Sequence, residues 1–155
     1  MTFRTESRLL IGASASEVWA YLCDVSRWPE WAPTVLRCWV RGGGPLQRGS
    51  RVEQRAKLPL GLSRGRSQEV IAVDEPHAVA FAGPMGTSAA RWGMELKPTG
   101  DRQTDTMMWI EVDLTGIMRV IPNRYLEGRI QHVSDIEMTA IKAAVESATR
   151  AGVKS

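Results

Sequence analysis

The segment 119–151 constrains the fold more than any other, because it is the only long stretch with an uninterrupted helical period. Pro122 suits the first turn of a helix, and Gly152 suits its end. At 1.5 Å per residue, a helix of roughly thirty residues is about 45 Å long. We therefore predict one helix over residues 119–150 that crosses the whole domain. At 100° per residue its apolar side chains form one stripe, made of Leu126, Ile130, Val133, Ala140, Ile141, Ala144 and Ala148.

The chain before this helix is dominated by segments in which apolar and polar residues alternate, as in a strand with one buried face. Such segments lie at residues 3–11, 35–40, 51–58, 66–73, 79–82, 88–97 and 106–114. Two short helices are predicted between the first and second strands, the earlier one opening with the capping-box spacing Ser14-Ala15-Ser16-Glu17. The later connections are too short for parallel crossovers. The predicted fold is α+β, a curved seven-stranded antiparallel sheet wrapped around the long C-terminal helix.

The composition is that of an ordinary globular domain. A length of 155 residues fits a single domain over residues 1–155, with 43% hydrophobic and 24% charged residues. The first residues carry charges where a signal peptide needs an apolar run, and no apolar stretch is long enough to span a membrane. We therefore expect a cytoplasmic protein without stable membrane insertion. The oligomeric state stays open.

Side chains that usually carry metal or nucleophilic chemistry are few and scattered. Cys23 and Cys38 lie in apolar segments and are predicted to be reduced core residues. His77 falls in a turn, and His132 faces away from the apolar stripe. The sequence thus predicts no metal site and no cofactor. Nucleic-acid binding is not expected, because no aromatic platform accompanies the basic residues. These are Arg48, Arg51, Arg55, Lys57, Arg64 and Arg66.

Several short motifs resemble those of START-like (SRPBCC) proteins. They are Ser16-Glu17-Val18-Trp19-Ala20, Asp24, Trp28-Pro29-Glu30-Trp31, Pro33, residues 83–92, Pro98-Thr99-Gly100, the last strand and Gly116. Within that superfamily the chain looks closest to the polyketide cyclase/dehydrase and lipid-transport branch. The resemblance implies the helix-grip fold, with an elongated cavity between the sheet and the C-terminal helix. It implies no single function, because the superfamily hosts binders, carriers, cyclases and activators of a chaperone.

Glu137 is the one charged residue near the centre of the apolar stripe. A carboxylate there is costly to bury unless it is paired, hydrated or protonated. Two interpretations stay open. The carboxylate is either a polar contact or general acid–base at the cavity wall, or a group that meets solvent or an arginine. Arg66 would be that arginine if its strand turns it inward.

The other candidates come from the inward faces of the predicted strands and helix, where an apolar cavity wall and a plain core look alike. The predicted cavity residues are Gln54, Leu58, Arg66, Trp92, Met94, Met108, Ile110, Ile130, Val133, Glu137 and Ile141. Leu60 and Leu62 lie at the tip of a hairpin, where exposed leucines are unfavourable unless they cover something. Together with Met85 they are predicted to form a mobile gate at the cavity mouth.

An apolar concavity with few polar groups favours binding or carriage of a small hydrophobic or amphipathic molecule, such as a lipid, a polyketide or another aromatic compound. The first alternative, implied by the resemblance, is an enzyme of the polyketide cyclase/dehydratase type with Glu137 as the candidate base. The sequence offers no convincing set of donors to hold an enolate. The second alternative is a protein-partner module that docks through the solvated face of the sheet or the basic strands.

Overall fold

A computed structural model describes residues 2–153 of the chain. The strands are β1 (Thr2–Ile11), β2 (Val35–Val40), β3 (Arg51–Lys57), β4 (Ser63–Asp74), β5 (Ala78–Met85), β6 (Ser88–Gly100) and β7 (Gln103–Asp113). The helices are α1 (Ala15–Cys23) and α2 (Asn123–Val153). Short 3₁₀ turns cover Val25–Glu30, Pro59–Gly61 and Gly116–Val120.

The strands form one sheet in the order β1-β7-β6-β5-β4-β3-β2, and every neighbouring pair is antiparallel. The alternation that predicted strands also predicted their faces. In β1, for example, Phe3, Thr5 and Ser7 are buried between exposed neighbours. The helix-grip architecture, a curved sheet with a long C-terminal helix against it, is confirmed.

Local capping builds the connection between β1 and β2. The Ser14 hydroxyl accepts a hydrogen bond from the Glu17 amide at 3.2 Å, as the capping-box spacing predicts. After α1, the Trp28 indole Nε1 donates to the Leu22 carbonyl at 2.9 Å. This bond holds the indole against the concave face of the sheet, where it contacts Phe81.

The long helix differs from the prediction at both ends. It begins at Asn123 and not at residue 119, because the chain from Gly116 to Val120 forms a separate 3₁₀ turn. Ile121 is extended, with ψ at 132°, as expected of a residue that precedes a proline. Gly152 was predicted to follow the helix but lies within its last turn.

The helix is also rotated away from the predicted stripe. Its buried side chains are Ser134, Met138, Ile141 and Val145, whereas Val133 is 45% exposed. The rotation brings polar side chains of α2 onto the backbone of the edge strand β1 and of the residue that follows it, as three hydrogen bonds show. Gln131 Nε2 donates to the Glu6 carbonyl at 2.9 Å, Lys142 Nζ donates to the Leu10 carbonyl at 2.8 Å, and Glu146 Oε1 accepts from the Gly12 amide at 2.8 Å.

The two ends of the sheet are filled differently. At one end, α1 and the 3₁₀ turn Val25–Glu30 pack with the C-terminal half of α2 into one apolar core. At the other end lie the β3–β4 and β5–β6 turns and the first turns of α2. Gly83 to Met85 lie beyond the predicted strand 79–82 but belong to β5, because Gly83 pairs with Ala90 and Met85 with Ser88.

Candidate functional site

A cavity of about 370 Å³ separates the N-terminal half of α2 from the concave face of the sheet. The strands β3 to β7 supply one wall, α2 supplies the other, and the segment 28–35 closes one side. The lining residues are Trp28, Trp31, Ala32, Thr34, Val35, Gln54, Arg66, Gln68, Gly83, Pro84, Met85, Ala90, Trp92, Met108, Ile110, Arg129, Ile130, Val133 and Glu137.

The Trp28 and Trp92 rings form the floor of this cavity, and the buried Phe81 packs against both of them. The Phe81 and Trp92 rings stack with centroids 4.5 Å apart and an interplanar angle of 17°. The Trp28 ring meets both edge-on, at 5.3 Å in each case. Such offset and edge-on pairs are favourable beyond the area that they bury. The cavity therefore has a closely packed aromatic surface at its floor.

Arg66 and Gln54 form the first polar pair of the cavity wall. They are cross-strand partners on β4 and β3. Arg66 Nε and Nη2 both donate to Gln54 Oε1, at 3.2 and 2.8 Å. Burial lowers the pKa of Arg66, and the nearby Arg64 lowers it further. The guanidinium is thus a partly desolvated cation whose hydrogen-bond partner in the wall is a neutral amide.

Gln68 and Trp92 form the second polar pair. Gln68 lies two residues after Arg66 on the same face of β4, and its Oε1 accepts from Trp92 Nε1 at 2.7 Å. This bond gives the indole nitrogen a partner, which a buried tryptophan usually needs. It also fixes the indole plane that stacks on Phe81.

Glu137 faces these pairs from α2, across the cavity. Burial raises the pKa of its carboxyl group to about 7, and the positive charge of Arg66 opposes that rise. Among residues 2–153, no side chain donates a hydrogen bond to this carboxylate, and Arg66 forms no ion pair with it within 4.0 Å. Glu137 thus lines the cavity near the charge of Arg66 but without an ion pair to it.

Most of the predicted cavity residues lie at the wall. Those that line it are Gln54, Arg66, Trp92, Met108, Ile110, Ile130, Val133 and Glu137. Met94 and Ile141 do not, because both are fully packed in the apolar core. Leu58 does not either, because it is the residue at which β3 has ended and the 3₁₀ turn begins.

The predicted gate is only partly in place. Met85 lines the cavity. Leu60 is 97% exposed, Leu62 is also exposed, and neither lines the cavity. The β3–β4 turn lies at the cavity end of the sheet, and Leu60 within it has a left-handed backbone with φ at 63°.

Several residues of the cavity wall lie outside the predicted set. Trp28 and Trp31 come from the Trp-Pro-Glu-Trp motif, which indicates the family resemblance but not a cavity position. Gln68 lies on the same face of β4 as Arg66 and lines the cavity, but it is not among the predicted cavity residues. No sequence pattern assigns Arg129 to the cavity, because on the helical wheel it lies off the predicted apolar stripe.

Neither cysteine lines the cavity. Burial raises the pKa of both thiols, Cys23 and Cys38, to about 12, so neither is a thiolate at neutral pH. Across residues 2–153, no cluster of three histidine, cysteine or acidic side chains is placed to hold a metal ion. Of the described helices, none has the length and apolar character needed to span a membrane.

Solved structures with the same fold are numerous and distant in sequence. A START superfamily protein from Mycobacterium smegmatis superposes with a TM-score of 0.75 at 16% identity, covering 94% of this chain and 98% of that one. An aromatase/cyclase from a Streptomyces strain gives 0.76 at 14% identity, covering 98% of each chain. A protein of unknown function from Staphylococcus aureus gives 0.77 at 11% identity, covering 97% of each.

At the level of sequence, no curated protein matches the chain. The family described as polyketide cyclase/dehydrase and lipid transport matches residues 2–146, which is nearly the whole sequence. This match agrees with the motifs around Trp19 and Trp28 and with the helix-grip fold. The chain therefore belongs to the polyketide cyclase/dehydrase and lipid transport family.

Proposed function

We propose that this protein binds a small, mostly apolar molecule in the cavity between the sheet and α2. The observation that carries the proposal is the combination of an aromatic floor, made by Trp28 and Trp92, with a few converging polar groups, the pattern of a ligand site. A volume of about 370 Å³ lies in the lower part of the range for such sites. The family and the aromatase/cyclase among the fold's neighbours support a ligand with an aromatic or polyketide-like body.

The test uses anilinonaphthalene sulfonate, a fluorescent probe with a flat apolar body, and two tryptophan variants on α2. Ile130→Trp places a large ring at the cavity wall, whereas Ile136→Trp changes an exposed position of the same helix that does not line the cavity. We expect Ile130→Trp to weaken probe binding at least about tenfold through loss of space, with Ile136→Trp close to wild type. Circular dichroism confirms that both variants are folded.

Equal probe affinity in the wild type and both variants would contradict the proposal, because binding would then occur outside the cavity. Native mass spectrometry of the purified protein gives an independent readout, since a molecule that co-purifies with the wild type should be absent from Ile130→Trp. The Ile136→Trp variant again serves as the control.

A second candidate function is an enzyme of the cyclase/dehydratase type, and the observation that favours it is the Glu137 carboxyl group. A pKa of about 7 suits a group that takes and returns a proton at neutral pH. In this reaction the carboxylate removes a proton from the carbon beside a ligand carbonyl and returns one to the resulting enolate. Acetylnaphthalene in deuterated water tests it, because each cycle exchanges a methyl hydrogen for deuterium.

We expect wild-type protein to accelerate this exchange and Glu137→Gln to abolish the acceleration while keeping affinity for the ketone. Exchange at the same rate in the Gln variant would remove Glu137 as the base. Binding of acetylnaphthalene without any accelerated exchange in the wild type would leave a carrier and exclude this enzymatic function for ketones of this type.

A further inference from the structure

The orientations of the two cavity glutamines are fixed by the chemistry of their partners. A guanidinium and an indole N–H are donors without acceptor capacity. The amide atom of Gln54 that faces Arg66 must therefore be its oxygen, and the same holds for Gln68 facing Trp92. Consequently both amide NH₂ groups point away from these partners.

The nitrogens of these amides and one nitrogen of the guanidinium remain without acceptors. Within the described part of the chain, no oxygen accepts from Gln54 Nε2, Gln68 Nε2 or Arg66 Nη1. Gln54 and Gln68 are only 3% and 7% exposed, and all three residues line the cavity. Gln54 Oε1, by contrast, already accepts two hydrogen bonds. We call these three residues the donor wall.

The charged side chains around the donor wall also favour a negatively charged ligand group. Arg66 on β4 and Arg129 on α2 both line the cavity, and Glu137 is its one acidic lining residue among those described. Two guanidinium groups therefore face one carboxyl group. Both the potential and the hydrogen-bonding pattern of the sheet side favour a ligand group that is negative and accepts hydrogen bonds.

We propose that the ligand carries a carboxylate, which binds the donor wall of Gln54, Arg66 and Gln68 while its flat apolar body lies against Trp28 and Trp92. This inference rests on the proposed function, since it names the ligand class of the same cavity. A carboxylate has two oxygens with about four acceptor positions, enough for all three donors. An amine in the same place would leave the donors unpaired and add a third positive charge.

The test compares three probes, naphthoate, acetylnaphthalene and naphthylmethylamine. They share a naphthalene body and differ in the head group. Their dissociation constants are measured at neutral pH by displacement of anilinonaphthalene sulfonate. We expect naphthoate to bind the wild type at least about tenfold more tightly than the amine, because burying donors without acceptors is unfavourable. The ketone, with one acceptor oxygen, should lie between them.

Gln68→Glu sharpens the test, because it keeps an oxygen for Trp92 and replaces the free NH₂ of the donor wall by an oxygen. We expect this variant to lower the preference for naphthoate over the amine about tenfold or more. Gln47→Glu adds the same charge at an exposed loop position and should keep the wild-type preference. The wild-type comparison of the three probes remains decisive if Gln68→Glu does not fold.

The outcomes distinguish a failure of the donor-wall inference from a failure of the proposed function. An amine that binds the wild type as tightly as naphthoate, or a preference unchanged in folded Gln68→Glu, overturns the donor-wall inference and leaves the cavity as a ligand site. If Ile130→Trp abolishes binding of anilinonaphthalene sulfonate but none of the three probes displaces it, the donor-wall inference fails and the proposed function stands. If anilinonaphthalene sulfonate binding does not depend on the cavity at all, the proposed function fails with it.

Discussion

The two halves of α2 lie against the same sheet yet meet different surroundings. In the C-terminal half, Met138, Ile141 and Val145 are buried in a core that includes α1. In the N-terminal half, Ile130 is half-buried and Val133 is 45% exposed, and both border the cavity. The sheet and the helix alone do not fill the space between them. A third layer, α1 with its 3₁₀ turn, closes one end, and the end without that layer keeps a cavity.

The largest expected effect comes from truncating one isoleucine in each half. Ile141→Ala removes a fully buried side chain and should lower the free energy of unfolding by about 2–5 kcal/mol. Ile130→Ala removes a side chain that already borders empty space, so we expect a loss of about 1 kcal/mol or less. Urea unfolding of both variants measures the difference. Equal losses would mean that the two halves are packed alike.

The second largest expected effect is a change of stability with pH, which arises in the N-terminal half of α2, beside the cavity. Burial raises the pKa of Glu137 from 4.5 to about 7 in the folded protein, so the folded state holds this proton more tightly than the unfolded state. The resulting stabilisation is complete below pH 4.5 and is lost as the pH rises towards 7. At 1.36 kcal/mol per pKa unit, the loss is at most about 3 kcal/mol.

Glu137→Gln replaces the ionisable carboxyl group by an amide that does not titrate in this window. The wild type loses stability as the pH rises through it and the variant does not, so the variant should become more stable relative to wild type. Thermal unfolding at a series of pH values measures the gain. Glu95→Gln, at an exposed position of β6, is the control and should follow the wild-type curve. A constant difference between wild type and Glu137→Gln would show that the carboxyl group is hydrated in the folded state.

The smallest effect lies at the border between the halves, at Ser134. Its hydroxyl is buried, and among residues 2–153 it has no hydrogen-bond partner. Ser134→Ala should therefore stabilise the fold, by about 1 kcal/mol at most, because an unsatisfied polar group is removed. Ser147→Ala, at an exposed position of the same helix, gives the contribution of helix propensity by itself. A lower stability for Ser134→Ala than for Ser147→Ala would indicate a partner for the hydroxyl.

The strands and their faces were predictable, because alternation depends on neighbouring residues alone. Phe3, Thr5 and Ser7 are buried on the predicted side of β1. The rotation of α2 was not predictable, since it depends on contacts with β1, more than a hundred residues away in sequence. The helical period marked an apolar stripe centred near Val133 and Glu137, whereas hydrogen bonds from Gln131 and Lys142 to β1 turn the helix towards Ser134 and Met138.

The same distinction applies to the site. An inward-facing position on a strand was predictable, and Gln54, Trp92 and Met108 do line the cavity. Whether an inward-facing residue meets empty space or another side chain depends on which element lies above it. Met94 therefore belongs to the core although it lies two residues after Trp92, on the same face of β6. The pairing of Arg66 with Gln54 required the register of the β3–β4 hairpin, which the sequence of its turn does not define.

The hydrogen bonds between α2 and β1 also bear on aggregation. A sheet that does not close on itself has two edges, and the free backbone groups of an edge strand are a template for pairing with another chain. Side chains of Gln131 and Lys142 take the place of a neighbouring strand at two positions along β1, and Glu146 does so at Gly12, directly after its end. The helix that roofs the cavity thus also blocks one edge of the sheet against growth into an intermolecular sheet.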